Sequence, residues 1–305
     1  MPRPSYLCLP IDNIPSEEGW LLQQSVPVIA VGDSAVSESS AGNADMIVAS
    51  MHDTELLVAN IERTPLAAMV LVQVLRAVDQ LPLEAALTME SLAYATLQAG
   101  AEYRNWLDSR EDTPRLIAGG QGEAVALQRE GNVVKAVLNR PANRNSITVE
   151  MRDALVELLE LVLLDDGIEI VHISGRGACF SVGGELAEFG LAPSPAEAHQ
   201  IRSVHNPGRL LARCAARVRF HVHRACVGSG IEIPAFAAHI SADPNCYFQL
   251  PELKFGLIPG AGGCVSISRR IGRQRTAWLA LSGKRINAQL ALEWGLIDEL
   301  AGIVA

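Results

Sequence analysis

Between Ala225 and Gly263, two acids stand among glycines in a pattern that few folds can use. Glu232 and Glu252 are 20 positions apart (252 − 232). Glu232 follows Gly228-Ser229-Gly230, Glu252 follows Pro251, and Pro259-Gly260-Ala261-Gly262-Gly263 comes next. Glycine lets a backbone approach a ligand closely. A helix leaving such a loop aims unpaired N–H groups outward, where they hold a developing negative charge. Two carboxyls in one partly dry pocket can divide acid and base work. The stretch therefore reads as an active site.

Composition bounds the partners. A chain of 305 residues allows one large domain or two modest ones. With 49% hydrophobic and 19% charged residues it can bury a core and is not a disordered chain. A formal charge of -9 argues against nucleic acid as a partner, and an anionic ligand would need a local cation. Cys8, Cys179, Cys214, Cys226, Cys246 and Cys264 form no CxxC pair and read as reduced packing thiols. The chain opens on no basic and apolar leader, and no uncharged apolar run has the length of a membrane span. The expected compartment is the cytoplasm, with no membrane partner.

Read in order, residues 1 to about 24 are mixed, with Pro2, Pro4, Pro10 and Pro15 breaking any regular period. Val26–Val31 and Met46–Ala49 read as short strands, and Ser34–Asn43 as a loop. Helical periods cover His52–Arg63, the almost wholly apolar Leu66–Val78, and Leu83–Leu107 as one or two helices. Glu90, Tyr94 and Glu102 lie near one helical face and read as solvated residues. Residues 1–115 are thus expected to be a mainly helical N-terminal domain, and Gly119–Gly122 a linker or turn. Residues 116–305 follow another pattern. Ala124–Arg129 and Val133–Asn139 are predicted strands joined at Glu130-Gly131-Asn132. Val149–Leu164 is a predicted helix capped by Thr148, and Ile168–Ser174 a buried strand. The recurrence after Arg219 predicts stacked ββα units with parallel strands, an α/β architecture.

Four segments resemble the crotonase, or enoyl-CoA hydratase/isomerase, superfamily. Leu138-Asn-Arg-Pro-Ala-Asn-Arg-Asn-Ser-Ile147 is similar to its LNRPxxRNAL segment, Ala178–Leu186 to AFxAGADL, Val227–Ile233 to GGGxE, and Gln249–Gly263 to PExxxGxxPGxGG. Arg269–Leu300 continues the match. The resemblance runs from about Gly122 to Leu300 and implies a crotonase-like spiral. It puts Arg144 on the basic position that contacts the coenzyme's phosphates, a task that suits a guanidinium; alone, Arg144 reads rather as a surface arginine in a turn. It puts the Val182 carbonyl against the adenine, and half of an oxyanion hole on the Gly184 N–H beside Gly183. The other half falls on the Ser229 N–H between Gly228 and Gly230. Pro259 and Gly260 complete the substrate-binding set. Gly184 and Glu185 replace the family's usual alanine and aspartate.

Both glutamates of the family's hydratases are kept. The resemblance then implies hydration of an α,β-unsaturated acyl-CoA, with Glu232 activating water and Glu252 supplying the proton. Coenzyme A arrives as part of the substrate and no other cofactor is called for. Isomerase, thioester hydrolase or cofactor-free oxygenase chemistry would use the same hole, and a non-catalytic acyl-CoA-binding subunit is a further alternative. Ser229 lacks a nucleophile elbow, since Val227 holds the first glycine position. His221, His223, Cys226 and His239 match no zinc spacing and read as core histidines or supporting partners beside a packing cysteine. The family's further C-terminal helices, which cover the site and join a homo-oligomer (a trimer or a multiple of it), do not follow Leu300. The N-terminal domain is expected to replace them.

Overall fold

The computed structural model describes residues 4–32, 42–110 and 122–301. Most of the expected Ser34–Asn43 loop and most of the Gly119–Gly122 linker lie outside these residues.

The N-terminal part begins with a small parallel sheet, β1 (Leu7–Pro10), β2 (Val28–Val31) and β3 (Met46–Val48), in that spatial order. The prolines did not prevent β1. It is an edge strand with Pro10 at its last position, where a missing N–H removes no ladder bond. A short helix α1 (Trp20–Gln23) follows β1. Four helices come next: α2 (Glu55–Arg63), α3 (Pro65–Val78), α4 (Leu83–Gln98) and α5 (Ala101–Asp108). Pro65 at the first position of α3 lacks only an N–H that the helix would leave unpaired. The next two N–H groups, of Leu66 and Ala67, donate to the carboxylate of Glu102 at 2.8 and 2.9 Å. Glu102 is therefore a cap supplied by a distant helix rather than a merely solvated residue.

The second part begins with the hairpin β4 (Val125–Glu130) and β5 (Val133–Leu138), turning at Gly131 with φ 64°. Helix α6 (Val149–Leu164) starts where Thr148 accepts the Met151 N–H at 3.1 Å. Strands β6 (Ile170–Gly175), β7 (Val218–Val222), β9 (His239–Ala242) and β12 (Glu299–Leu300) extend β5 in parallel, giving the order β12-β9-β7-β6-β5-β4. Helices α7 (Pro195–Val204) and α8 (Pro207–Cys214) lie between β6 and β7. A smaller sheet pairs β8 (Ala225–Val227), β10 (Tyr247–Gln249) and β11 (Ile286–Asn287). The helices α9 (Ser229–Glu232), α10 (Gly263–Ile271), α11 (Arg273–Ser282) and α12 (Ala288–Trp294) complete the spiral. All six cysteines are free thiols. The histidines are not core residues: His221 is exposed on the outer face of the sheet and contacts His172 and Ser241, and His239 faces Glu299.

One apolar core joins the two parts. Leu71, Leu75 and Leu87 belong to the same buried cluster as Phe180, Phe248, Ile267 and Leu279. A second, smaller cluster under the N-terminal sheet holds Ile11, Ile14, Leu21, Val28, Ala30 and Ala44. No helix among the described residues is by itself long and apolar enough to cross a membrane.

A buried ionic knot fastens that sheet to the helices. The Asp45 carboxylate is 1% exposed and takes Nε and Nη2 of Arg76 on α3 at 2.9 and 2.5 Å. It also accepts from Arg273 on α11 at 3.1 Å and from the Val28 N–H at 2.8 Å. Removing one member of a buried pair strands the other's charge. Asp45→Ala is expected to cost about 3–5 kcal/mol of unfolding free energy in urea titration. A cost below ~1 kcal/mol would show that water reaches Arg76.

Candidate active site

Two parallel strands bring the acids together. β8 and β10 pair with Val227 opposite Gln249, so the residues that follow each strand leave the sheet at the same end. Gly228 donates its N–H to the Gln249 carbonyl at 2.9 Å and, at φ 50°, turns the chain into α9. Glu232 ends α9, and Glu252 follows β10 after Leu250 and Pro251. Their convergence is tight. A methyl group built on Gly228 would lie 2.5 Å from Glu252 Oε1 and 3.9 Å from Glu232 Oε1. Both carboxyls line a cleft of approximately 490 Å³, together with Gly184, Ser229 and Gly260.

Their surroundings separate them. Glu232 is 2% exposed, and its Oε2 accepts the N–H groups of Ala261 and Gly263 at 2.8 and 3.0 Å. Burial pushes its pKa up to about 7, against the pull of those N–H donors. Glu252 is less well supported: its own N–H is the one backbone donor that lowers its pKa, and its Oε2 is buried without a partner. Burial, and then the charge of Glu232, push it well above the usual carboxylate range. One carboxyl is thus poised to ionise near neutrality while the other keeps its proton.

The two N–H groups expected to form an oxyanion hole come from two crossing segments. Ser181 bridges Cys226 in parallel, with Ser181 N to Ala225 O at 3.0 Å and Val227 N to Ser181 O at 3.2 Å. Gly183, at φ 88°, sits where a Cβ would come within 2.5 Å of the Val227 carbonyl, so only glycine fits. The next residue, Gly184, bridges Ile147. The N–H groups of Gly184 and Ser229 form no hydrogen bond among the described residues, and both residues line the cleft. The departure from alanine at Gly184 has a packing cause: a Cβ there would lie 3.0 Å from the Phe189 ring. That ring is held edge-on by Trp106 of α5, centroids 5.8 Å apart. Glu185 accepts from Asn143, Ser146 and the Ala187 N–H, which ties this turn to the Leu138–Ile147 segment.

Other residues expected at the site stand apart from the cleft wall. Gly183, Gly228, Gly230 and Pro259 are not among the residues lining the cleft. They permit close backbone packing instead; a Cβ on Gly230 would meet the Ser181 carbonyl at 2.8 Å. Val182 and Arg144 also lie outside the cleft wall. They adjoin each other, Val182 N donating to Arg144 O at 3.3 Å. Arg144 is exposed at φ 49°, and its guanidinium makes no hydrogen bond or ion pair among the described residues. Ser229 Oγ is buried without a hydrogen-bond partner, so nothing is placed to activate it as a nucleophile.

The sequence reading missed a third acid. Glu90, taken for a solvated residue, is 2% exposed. Its two oxygens accept Gly262 N at 2.7 Å and Cys264 N at 2.8 Å. Glu232 and Glu90 therefore share the N-terminus of α10, taking alternate N–H groups from opposite sides. Tyr94, one turn further along α4, lies over Gly260, where a Cβ would come within 2.3 Å of its ring. Tyr94, Gln98 and Tyr103 all line the cleft. The four-residue spacing of Glu90, Tyr94 and Gln98 was a usable signal, since it sets polar groups along one stripe of a helix.

Burial, with Glu232 close by, pushes Glu90 from 4.5 up to about 8. A carboxyl that holds its proton more tightly folded than unfolded contributes most below the unfolded pKa. Its contribution is lost as pH rises towards the folded value. Unfolding free energy is expected to decline between about pH 5 and 8, and less steeply in Glu90→Gln. Chemical denaturation across that range checks this, and an unchanged slope would contradict the buried environment of Glu90.

Residues 128–302 match the model of the enoyl-CoA hydratase/isomerase family. The 2,3-dehydroadipyl-CoA hydratase of Escherichia coli K12 is 30% identical over 57% of this chain and 68% of its own length. The 1,2-epoxyphenylacetyl-CoA isomerase of the same organism is 33% identical over 55% and 66%. The crystal structure of enoyl-CoA hydratase from Thermoplasma volcanium superimposes with a TM-score of 0.54, at 30% identity, over 59% of this chain and 73% of that one. None of the matched family region includes the helices that bring Glu90, Tyr94 and Gln98. From Gln128 to Gly302, where the strand spiral, the paired glutamates and the glycine turns all fall, the chain belongs to the enoyl-CoA hydratase/isomerase family and is an enzyme of the crotonase superfamily.

Proposed function

We propose that the protein hydrates an α,β-unsaturated acyl-CoA. The observation that carries this reading is the unequal pair of carboxyls at one cleft, Glu232 held by the Ala261 and Gly263 N–H groups and Glu252 with a buried Oε2 that has no partner. The Gly184 and Ser229 N–H groups polarise the thioester carbonyl and hold the enolate-like oxygen. Removing one such donor typically costs about 2.7–4 kcal/mol of barrier. Glu232, the easier of the two to ionise, takes a proton from water as the water attacks C3. Glu252, the carboxyl that stays protonated, delivers its proton to C2. Coenzyme A is the carrier end of the substrate and stays attached throughout, and Arg144 on the adjoining exposed turn contacts its phosphates. Helices α4 and α5 serve as the site's cover. The relatives above are named for hydration in one case and isomerisation in the other. An isomerase would shuttle a proton between two carbons with the same groups and take up no water.

The test is loss of the conjugated thioester absorbance of crotonyl-CoA and longer enoyl-CoA esters. Glu232→Gln and Glu252→Gln are expected to fold normally and to lose roughly 10²–10⁴ of kcat/KM. Turnover near the wild-type rate in either variant contradicts the mechanism. A shifted double bond without incorporation of labelled water selects the isomerase.

The pH profile follows from the same pair. Wild-type kcat/KM should rise with pH as the base ionises, with a midpoint near 7 for Glu232. It should fall again at higher pH as Glu252 gives up its proton. The two limbs report the pair as a unit. A rate that is flat between about pH 5 and 9 would contradict the assignment.

A further inference from the structure

One wall of the cleft carries a cation for which hydration has no use. Arg202 of α7 lines the cleft beside Tyr94, Gln98 and Tyr103. Its Nε donates to Ser91 Oγ at 3.1 Å, one Nη to Gln98 Oε1 at 3.1 Å and the other to the Ser91 carbonyl at 3.2 Å. The guanidinium lies 4.5 Å from the centroid of the Tyr94 ring. A guanidinium has five N–H groups, so two remain uncommitted. All these partners are neutral. Arg202 belongs to none of the ion pairs formed among the described residues. Glu90 acts on it only at longer range, with both oxygens already engaged by Gly262 and Cys264. Such a cation, partly removed from water, is costly without a counter-charge. Close by, the Tyr103 hydroxyl is buried on the same wall, with the Gln98 side chain and the Gly190 backbone against its oxygen.

The position of this pair relates it to the acyl group. Tyr94 lies on Gly260, in the loop that orders Glu232, and Arg202 lies against the same ring. Arg144 and Val182, at the expected coenzyme end, are not part of this wall. We infer that the acyl group held in this cleft ends in a carboxylate, bound by Arg202 together with the Tyr103 hydroxyl, so that the substrate is the CoA thioester of an unsaturated dicarboxylic acid. The inference rests on the acyl-CoA reading of the site. It makes Arg202, which is outside the reacting groups, the residue that selects the substrate. A site built around an unpaired donor rejects the analogue that lacks the acceptor.

The experiment compares two saturated CoA esters of equal chain length, one ending in a carboxylate and the other in its methyl ester, by calorimetric binding. The corresponding 2-enoyl esters are compared for turnover. Wild-type protein should bind the acid at least tenfold more tightly. Arg202→Met, which keeps the stem on Tyr94, should lose that preference while binding the methyl ester as before, and Arg202→Lys should retain part of it. Equal binding of the two esters by wild-type protein overturns the inference, and this comparison needs no variant to fold. An Arg202→Met protein that melts like wild type but weakens both esters equally overturns it too, since Arg202 then serves the coenzyme. The two levels separate cleanly. Preferred binding of the acid with no turnover of its enoyl ester would sink the hydratase reading and leave the carboxylate site standing. Turnover of both enoyl esters without preference would do the reverse.

Discussion

The structure depends on how one helix N-terminus is satisfied. The first N–H groups of α10 and its glycine turn have no partners within the helix. Here they are donated alternately: Ala261 and Gly263 to Glu232, Gly262 and Cys264 to Glu90. A helix N-terminus carries partial positive charge and stabilises anions near it. Two carboxyls on one terminus nevertheless repel each other, and burial deprives both of water. Burial raises both pKa values, and at Glu90 the charge of Glu232 adds to it. The site thus holds three acids close together, two held by main-chain donors and one, Glu252, with an unpartnered buried oxygen.

That arrangement makes the N-terminal helices part of the catalytic centre's physical environment. Glu90 grips the glycine turn from α4, Tyr94 lies on Gly260, and Trp106 of α5 steadies the Phe189 ring against Gly184. Gly256 meets main chain rather than a ring: a Cβ there would come within 2.7 Å of the Glu102 and Tyr103 backbone. With φ 68°, Gly256 both turns the chain after Glu252 and lets α5 approach. Glycine positions that the family uses for its own turns here also receive another part of the chain. The shared apolar core has the same consequence, since neither part can withdraw without exposing it.

The legible features were those whose cause is local. Thr148 precedes a run of helical period and caps it; Glu130-Gly131-Asn132 separates two alternating runs and turns between them. Glu232 and Glu252 were found because each sits in a glycine or proline context that constrains the backbone. The illegible features were those whose partner is far away in sequence. Glu90 and Gly262 are 172 positions apart, Glu102 and Leu66 are 36, and Arg202 and Ser91 are 111. On a helix, an acid that faces solvent and one that faces a distant turn look alike. β1 was overlooked because prolines argue against a strand interior, whereas an edge position tolerates them.

By itself, the sequence determined the strand and helix order from Ala124 to Ser174 and the pair of acids with their glycine turns, because short-range periodicity and backbone freedom dictate these; the spiral was implied by the resemblance to the crotonase superfamily. Only the tertiary structure decided which acid is supported and which is left unpartnered. It also decided that a third acid shares the same helix terminus, and that the Arg202 guanidinium, in no ion pair among the described residues, faces the cleft. Protonation and binding depend on burial and on partners that the fold brings in from far along the chain, and no local pattern encodes those distances.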